Sequence, residues 1–90
     1  MKIDYDPIKR DKTLKTRGLD FARAPEVFSG THFTAEDLRN SYGENRYITV
    51  GSLDFRMIVM VWTLRGAIRR IISMRKANER EQARFAQRLD

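Results

Sequence analysis

The pattern of apolar and polar residues changes near the middle of the chain. Runs rich in Val, Ile, Tyr and Trp span residues 46–51, 55–65 and 67–75, and the turn signals Gly51-Ser52 and Arg65-Gly66 separate them. Short runs of β-branched and aromatic residues bounded by such turns are typical of β-strands. The second half of the chain is therefore predicted to form an antiparallel meander.

The N-terminal part predicts a short strand followed by a helix. Lys2 to Tyr5 alternates polar and apolar residues, as a strand does. Asp6 is a suitable N-cap, Pro7 suits the first helical position because its missing N–H is not needed there, and Gly18 suits the helix end. The helix is expected to run to about residue 16.

Two further helices complete the predicted fold. One would follow Asp20, with a late start or a kink at Pro25, and the other would span the charged residues 76–89. A strand fragment is expected around His32–Thr34. This order predicts an α+β domain with an N-terminal strand and two helices, a three- to four-stranded antiparallel sheet and a C-terminal helix, the helices lying on one face of the sheet.

Length and composition narrow the class of protein. A chain of 90 residues is expected to form a single domain over residues 1–90. The longest apolar run, Met57 to Leu64, is too short to cross a bilayer, and the N-terminus lacks the apolar stretch of a signal peptide. The absence of cysteine excludes disulfides and thiolate metal sites. We therefore expect a cytoplasmic protein without a membrane segment.

The positive charge is concentrated in one half of the chain. Residues 1–45 carry 8 Lys or Arg and 8 Asp or Glu, whereas residues 46–90 carry 10 and 4, which accounts for the whole net charge of +6. Arg outnumbers Lys 13 to 5, and the planar guanidinium group suits bidentate phosphate contacts. The charge indicates either a polyanionic or acidic partner or a solvated basic surface.

Arginines stand at the predicted strand ends. Arg46 begins one strand, Arg65 ends the next, and Arg69 and Arg70 follow across a tight turn. Because strand ends meet in a meander, these side chains can converge as a phosphate clamp, and the alternative is that they are solvated or paired with carboxylates. Regular alternation in the last strand predicts Arg70 on one face with Met74, and Arg69 and Arg75 on the other.

Motifs over most of the chain are similar to those of a known family. They are Tyr5-Asp6, Gly18-Leu19-Asp20-Phe21, Val27-Phe28, the stretch GENRYITVG at 43–51, Thr63-Leu64-Arg65 and, most specific of all, RIISMRKANERE at 70–81. On these motifs the chain resembles the BrnT family, ribonuclease toxins of bacterial type II toxin–antitoxin systems. The resemblance implies a RelE-like fold.

The resemblance also implies an activity and a partner. It implies an endoribonuclease that cleaves cellular RNA, inhibits translation and growth, and is neutralised by a cognate antitoxin. The implied antitoxin is BrnA-like, of the ribbon-helix-helix type, in a hetero-oligomer that binds promoter DNA. No cofactor is expected. The single His and the scattered carboxylates show no metal-ligand spacing, which favours a metal-independent reaction with the RNA 2′-OH as nucleophile.

The candidate site residues are chosen for phosphate binding and proton transfer. The catalytic candidates are Arg65, Arg70, Arg46 and Glu44, and the RNA-binding candidates are Arg69, Arg75, Tyr47 and Arg17. The arginines would stabilise the charge that builds on phosphate, and Glu44 would act as the base or orient Arg46. The alternative for Glu44 is an ordinary surface residue at a strand start.

The sequence allows more than one role for Arg75, Trp62 and Arg17. Arg75 would join the clamp or brace the terminal helix through Glu79, and Trp62 is expected in the core rather than stacked on a base. The family usually has Lys-His-Gly where this chain has Thr16-Arg17-Gly18, and an arginine does not shuttle protons near neutral pH. The alternatives to an active toxin are thus a catalytically degenerate module that binds nucleic acid or antitoxin, and a protein-interaction subunit.

Overall fold

The protein is an α+β structure built on one mixed sheet. A computed structural model describes residues 2–39 and 41–89. Within them, the strands form a five-stranded sheet in the order β1-β5-β4-β3-β2, in which β1 and β5 are parallel and the other neighbours are antiparallel. The elements along the chain are β1 (Ile3–Tyr5), α1 (Pro7–Arg17), a 3-10 turn (Phe21–Arg23), α2 (Ala24–Ser29), β2 (Phe33–Glu36), β3 (Arg46–Leu53), β4 (Arg56–Arg65), β5 (Ile68–Lys76) and α3 (Glu79–Leu89).

The α+β class and the order of elements are confirmed, and the predicted strand count is too low. The fragment expected around His32–Thr34 is a full edge strand, β2, which pairs with β3. The N-terminal strand β1 joins the same sheet beside β5. Periodicity could not reveal this last pairing because it joins segments from opposite ends of the chain.

The ends of α1 follow the predicted caps. The Asp6 carboxylate accepts a hydrogen bond from the Ile8 N–H at 2.8 Å. Gly18 has a φ of 69°, in the left-handed region that favours glycine, and its N–H donates to the Leu14 carbonyl at 3.0 Å. Both ends of this helix are therefore set by local residues.

The second helix begins late, as predicted. Asp20 caps the 3-10 turn by accepting from the Ala22 N–H at 2.9 Å. Pro25 lies in the first turn of α2, where its missing N–H leaves no hydrogen bond unmade. Of the two predicted alternatives, a late start or a kink at Pro25, the structure has the late start, with the 3-10 turn placed before α2.

One face of the sheet, which we call the core face, carries the main hydrophobic core. Its buried residues are Leu53, Ile58, Met60, Trp62, Ile71 and Met74 of the strands, covered by Leu19, Phe21, Ala24 and Val27. The packing is close, since a Cβ added to Gly51 would lie 2.7 Å from Val27 Cγ1. The predicted core position of Trp62, which is 6% exposed, is confirmed.

The opposite face, which we call the arginine face, holds a smaller cluster. Val50, Val59 and Ala77 are buried there, with half-buried Phe33, Ile48, Met57, Phe85 and Leu89 around them. Phe85 and Leu89 come from α3, so the expectation that all helices lie on one face is wrong. The strands are apolar on both sides, and the terminal helix turns back to cover the second side.

Helix α3 begins at Glu79, later than predicted, because of a capping box. The Glu81 N–H donates to Asn78 Oδ1 at 2.8 Å, and the Asn78 N–H donates to Glu81 Oε1 at 2.9 Å. These two bonds satisfy donors that the helix cannot satisfy internally. No described residue of α3 is fully buried.

A bulge in β5 overturns the predicted alternation of its side chains. Val61 pairs with Ser73 but Trp62 pairs with Ile71, so Ile72 is an extra residue in β5. An extra residue inverts the alternation beyond it. Arg75 consequently shares the arginine face with Arg70, whereas the regular pattern placed them on opposite faces.

Candidate functional site

The three predicted catalytic arginines lie at one end of the arginine face. Arg46, Thr63 and Arg70 are successive partners across β3, β4 and β5, and Arg65 lies two residues beyond Thr63 on the same face. Because neighbouring strands are about 4.8 Å apart, the backbones of Arg46 and Arg70 are separated by roughly 10 Å. We call Arg46, Arg65 and Arg70 the basic end.

Arg70 is held by a carboxylate that the sequence analysis missed. Its Nη1 donates to both Asp4 carboxylate oxygens at 2.9 Å. The hydrogen bond from Arg70 lowers the pKa of Asp4 below its ordinary value, against an opposing effect of burial, and the Arg65 charge lowers it further. Alternation between Ile3 and Tyr5 could have placed Asp4 on this face, but its partner depends on the parallel β1–β5 pairing.

Arg46 is positioned by the segment that precedes β3. Its Nε lies 3.7 Å from Glu44 Oε1, an ion pair too long for a hydrogen bond, and its Cζ lies 4.0 Å from the centre of the Tyr42 ring. This Nε is buried without a hydrogen-bond partner among the described residues. Thr63 Oγ1 donates to the Asn45 carbonyl at 2.6 Å, which ties this segment to β4. All four predicted catalytic residues are thus near the same strand ends.

The RNA-binding candidates Arg69 and Tyr47 lie on the core face. The Arg69 guanidinium covers Phe28, with Cζ 3.8 Å from the ring centre, and lies 5.0 Å from the centre of the Trp62 ring. Tyr47 stacks on Trp62 with ring centres 4.8 Å apart. Cation–π contact and stacking hold both candidates in place. They share the sheet end of Arg70 but not its face.

Arg75 braces the terminal helix rather than lying at the basic end. It makes a bidentate pair with Glu81, at 2.7 and 2.8 Å, where Glu79 was the expected partner. The hydrogen bonds from Arg75 are the largest cause that lowers the pKa of Glu81 to about 2. Arg75 therefore joins sheet and helix on the arginine face.

Arg17 lies in a separate groove between α1 and β5. Its Nη1 donates to the Met74 carbonyl at 3.0 Å. The groove, of about 260 Å³, is also lined by Lys9, Thr13 and Thr16. None of the three basic-end arginines lines this groove.

Other site classes find little support in the described part of the chain. His32 Nδ1 lies 2.8 Å from the Gly30 carbonyl oxygen, and its ring contacts Phe28, away from the basic end. Among residues 2–39 and 41–89 there is no group of three His, Cys, Asp or Glu side chains placed to hold a metal ion. No helix in the same residues has the length and hydropathy needed to span a membrane.

Comparison with known families decides the class of protein. The family model described as ribonuclease toxin, BrnT, of type II toxin–antitoxin system matches residues 5–81. The chain belongs to the BrnT family. As a BrnT protein it is a ribonuclease toxin of a type II toxin–antitoxin system, and the family implies an antitoxin partner. The matched residues include the whole basic end of this BrnT toxin. No curated protein matches the chain.

Proposed function

We propose that this toxin is a metal-independent endoribonuclease whose catalytic site is the basic end. The observation that carries the proposal is the convergence of Arg46, Arg65 and Arg70 on one end of one face. A guanidinium group can donate two parallel hydrogen bonds to one phosphate, and it keeps its positive charge at physiological pH. Three such groups would therefore stabilise the negative charge that a phosphate gains during the reaction.

The reaction we propose is an internal transesterification. The 2′-oxygen of RNA attacks the adjacent phosphorus as its proton passes to the Glu44 carboxylate, which lies beside Arg46. The bond from phosphorus to the 5′-oxygen breaks, that oxygen takes a proton from solvent, and the products are a 2′,3′-cyclic phosphate and a 5′-hydroxyl. The arginines stabilise the added charge on the phosphate oxygens.

RNA binding beyond the reacting phosphate would involve the remaining candidates. Tyr47 and Arg69 lie at the sheet end of Arg70 on the opposite face, so a strand that passes around this end reaches both. Arg75 and Arg17 are engaged by Glu81 and the Met74 carbonyl, and they would contact phosphate through their remaining N–H groups.

The biological role we propose follows from the family. Cleavage of cellular RNA in the cytoplasm would inhibit translation and arrest growth, and a BrnA-like ribbon-helix-helix antitoxin would neutralise the toxin. The hetero-oligomer of the two would bind its own promoter DNA. The net charge of +6, confined to the second half of the chain, suits both an RNA substrate and an acidic partner surface.

The proposal is tested by incubating the purified chain, freed of any bound partner, with total RNA in excess chelator. Arg65→Ala/Arg70→Ala is the test variant, and Lys15→Ala/Arg80→Ala, which removes two exposed charges elsewhere, is the control. We expect cleavage by the parent and the control and none by the test variant. Cleavage only without chelator would contradict metal independence, and full activity of the test variant would contradict the site.

A second function is favoured by one observation, the replacement at residues 16–17. Where the family usually has Lys-His, this chain has Thr16-Arg17, and Arg17 is bonded to a main-chain carbonyl. A catalytically degenerate module that binds RNA or antitoxin would fit this arrangement. If the folded parent binds RNA without cleaving it, free or on ribosomes, this second function replaces the first.

A further inference from the structure

A groove of about 390 Å³ runs along the arginine face between β2 and α3. Its floor is formed by Ile48, Val50, Val59 and Val61, aliphatic side chains from the two central strands. We call it the arginine groove because four arginines line its walls: Arg39, Arg75, Arg84 and Arg88. It is distinct from the basic end, whose arginines do not line it.

The floor of the arginine groove is incompletely covered by the chain itself. Helix α3 reaches the sheet through Phe85, whose ring centre is 5.0 Å from that of Phe33, and no described residue of this helix is fully buried. Ile48 and Val61 remain half-buried in the middle of the sheet. Half-buried aliphatic surface rimmed by charge is surface that another molecule can cover.

The charges around the groove are unbalanced in favour of arginine. Arg75 is paired with Glu81, and Arg39 makes a bidentate pair with the buried Asp37 at 2.8 Å. Arg84 and Arg88 have no carboxylate within 4 Å among the described residues, and they lie over the rings of Phe85 and Phe33. Two guanidinium groups thus flank an aliphatic floor without an acidic partner from the described chain.

We propose that the arginine groove binds an acidic, amphipathic segment of the antitoxin. The proposal rests on the proposed function, because it takes the antitoxin from the toxin–antitoxin assignment. Aspartate or glutamate of the segment would pair with Arg84 and Arg88, and its aliphatic side chains would cover Ile48 and Val61. Carboxylates and guanidinium groups match in geometry as well as in charge.

The floor favours a protein segment over RNA. Single-stranded RNA sites combine positive charge with aromatic platforms on which bases stack. Here the floor is aliphatic, and the two aromatic rings, Phe33 and Phe85, contact each other and are covered by arginines. Aliphatic side chains can remove such a floor from water without the stacking that nucleic-acid bases require.

Because of where the groove lies, an antitoxin segment bound in it would also inhibit RNA cleavage. Ile48 and Val61 are the next residues on the same face after Arg46 and Thr63. A segment that lies on the floor therefore borders the basic end and blocks the approach of RNA. The groove would then serve inhibition, and the basic end would serve cleavage.

The test measures binding of the antitoxin encoded beside the toxin gene, purified separately, by titration calorimetry. Arg84→Glu/Arg88→Glu is compared with Lys15→Glu/Arg80→Glu, a control with the same change in net charge on exposed residues outside the groove. We expect the test variant to bind about tenfold more weakly or worse and the control to bind as the parent does. Arg84→Gln/Arg88→Gln provides a milder variant if charge reversal unfolds α3.

The outcomes separate this proposal from the proposed function. Parental antitoxin affinity in both groove variants would overturn the proposal, whatever the chain does to RNA. Loss of RNA binding with intact antitoxin binding would make the groove an RNA surface and overturn it as well. Absence of RNA cleavage by the parent would overturn the ribonuclease function alone, because the calorimetric binding is measured independently of cleavage.

Discussion

The two faces of the sheet contrast in how they are closed. The core face is sealed by Leu19, Phe21 and Val27, each at most 1% exposed, whereas on the arginine face one helix without a fully buried residue leaves a groove and a row of arginines. The same strands supply both faces. The contrast indicates that stability resides mainly on the core face, and the arginine face is the one to which our two proposals assign RNA and the antitoxin.

The largest expected effect compares adjacent residues on opposite faces of β4. Met60 is fully buried on the core face, and its replacement by Ala should cost roughly 2–5 kcal/mol of unfolding free energy because it leaves a cavity. Val61 is half-buried on the arginine face, and Val61→Ala should cost about 1 kcal/mol or less. Urea unfolding measures the loss of unfolding free energy in both variants. Equal losses would contradict the conclusion that the core face contributes most of the stability.

A smaller effect is expected where α2 approaches β3. Gly51→Ala would place a Cβ 2.7 Å from Val27 Cγ1, so the helix or the strand must shift, at a cost of roughly 1–3 kcal/mol. Gly30→Ala is the matched control, since its Cβ would meet nothing closer than 3.8 Å and its backbone is extended. A neutral Gly51→Ala variant would show that the core face is more loosely packed than the structure indicates.

The smallest expected effect is a pH dependence on the arginine face. The pKa of Glu81 is lowered from 4.5 to about 2 by Arg75, so the pair stabilises the fold above pH 4.5 and that contribution is lost as the pH falls toward 2. Glu81→Gln keeps the geometry of the capping box and should flatten this part of the curve. The measurement is the unfolding free energy of parent and variant, determined by urea unfolding between these pH values. If the two plots of free energy against pH are parallel, the ion pair contributes nothing to stability.

Local signals in the sequence predicted part of this fold. Asp6, Pro7 and Gly18 mark the ends of α1 because capping involves neighbours along the chain, and the Val- and Ile-rich runs marked the three long strands. The bulge at Ile72 could not be predicted, because the adjacent pair Ile71-Ile72 fits either face of a sheet that is apolar on both sides. It transferred Arg75 to the face of Arg70.

The candidate site was predictable to the extent that it depends on antiparallel neighbours. Arg46, Arg65 and Arg70 follow from the meander, in which turns fix which strand ends meet. Asp4 was missed because it reaches Arg70 through a parallel pairing across the whole chain. The separation of Arg69 from Arg70 follows from alternation, but the aromatic rings that hold Arg69 come from α2 and β4, a tertiary contact that no local pattern encodes.

The central claim, that cleavage occurs at the basic end, is tested most directly by steady-state kinetics of two adjacent arginines. Arg70→Ala should lower kcat about a hundredfold with little change in KM, whereas Arg69→Met, which keeps the packing on Phe28, should mainly raise KM. Lys15→Ala/Arg80→Ala, which removes two exposed charges elsewhere, is the control and should leave both constants unchanged. A large loss of kcat in Arg69→Met with normal kcat in Arg70→Ala would contradict the claim and place the reaction on the core face.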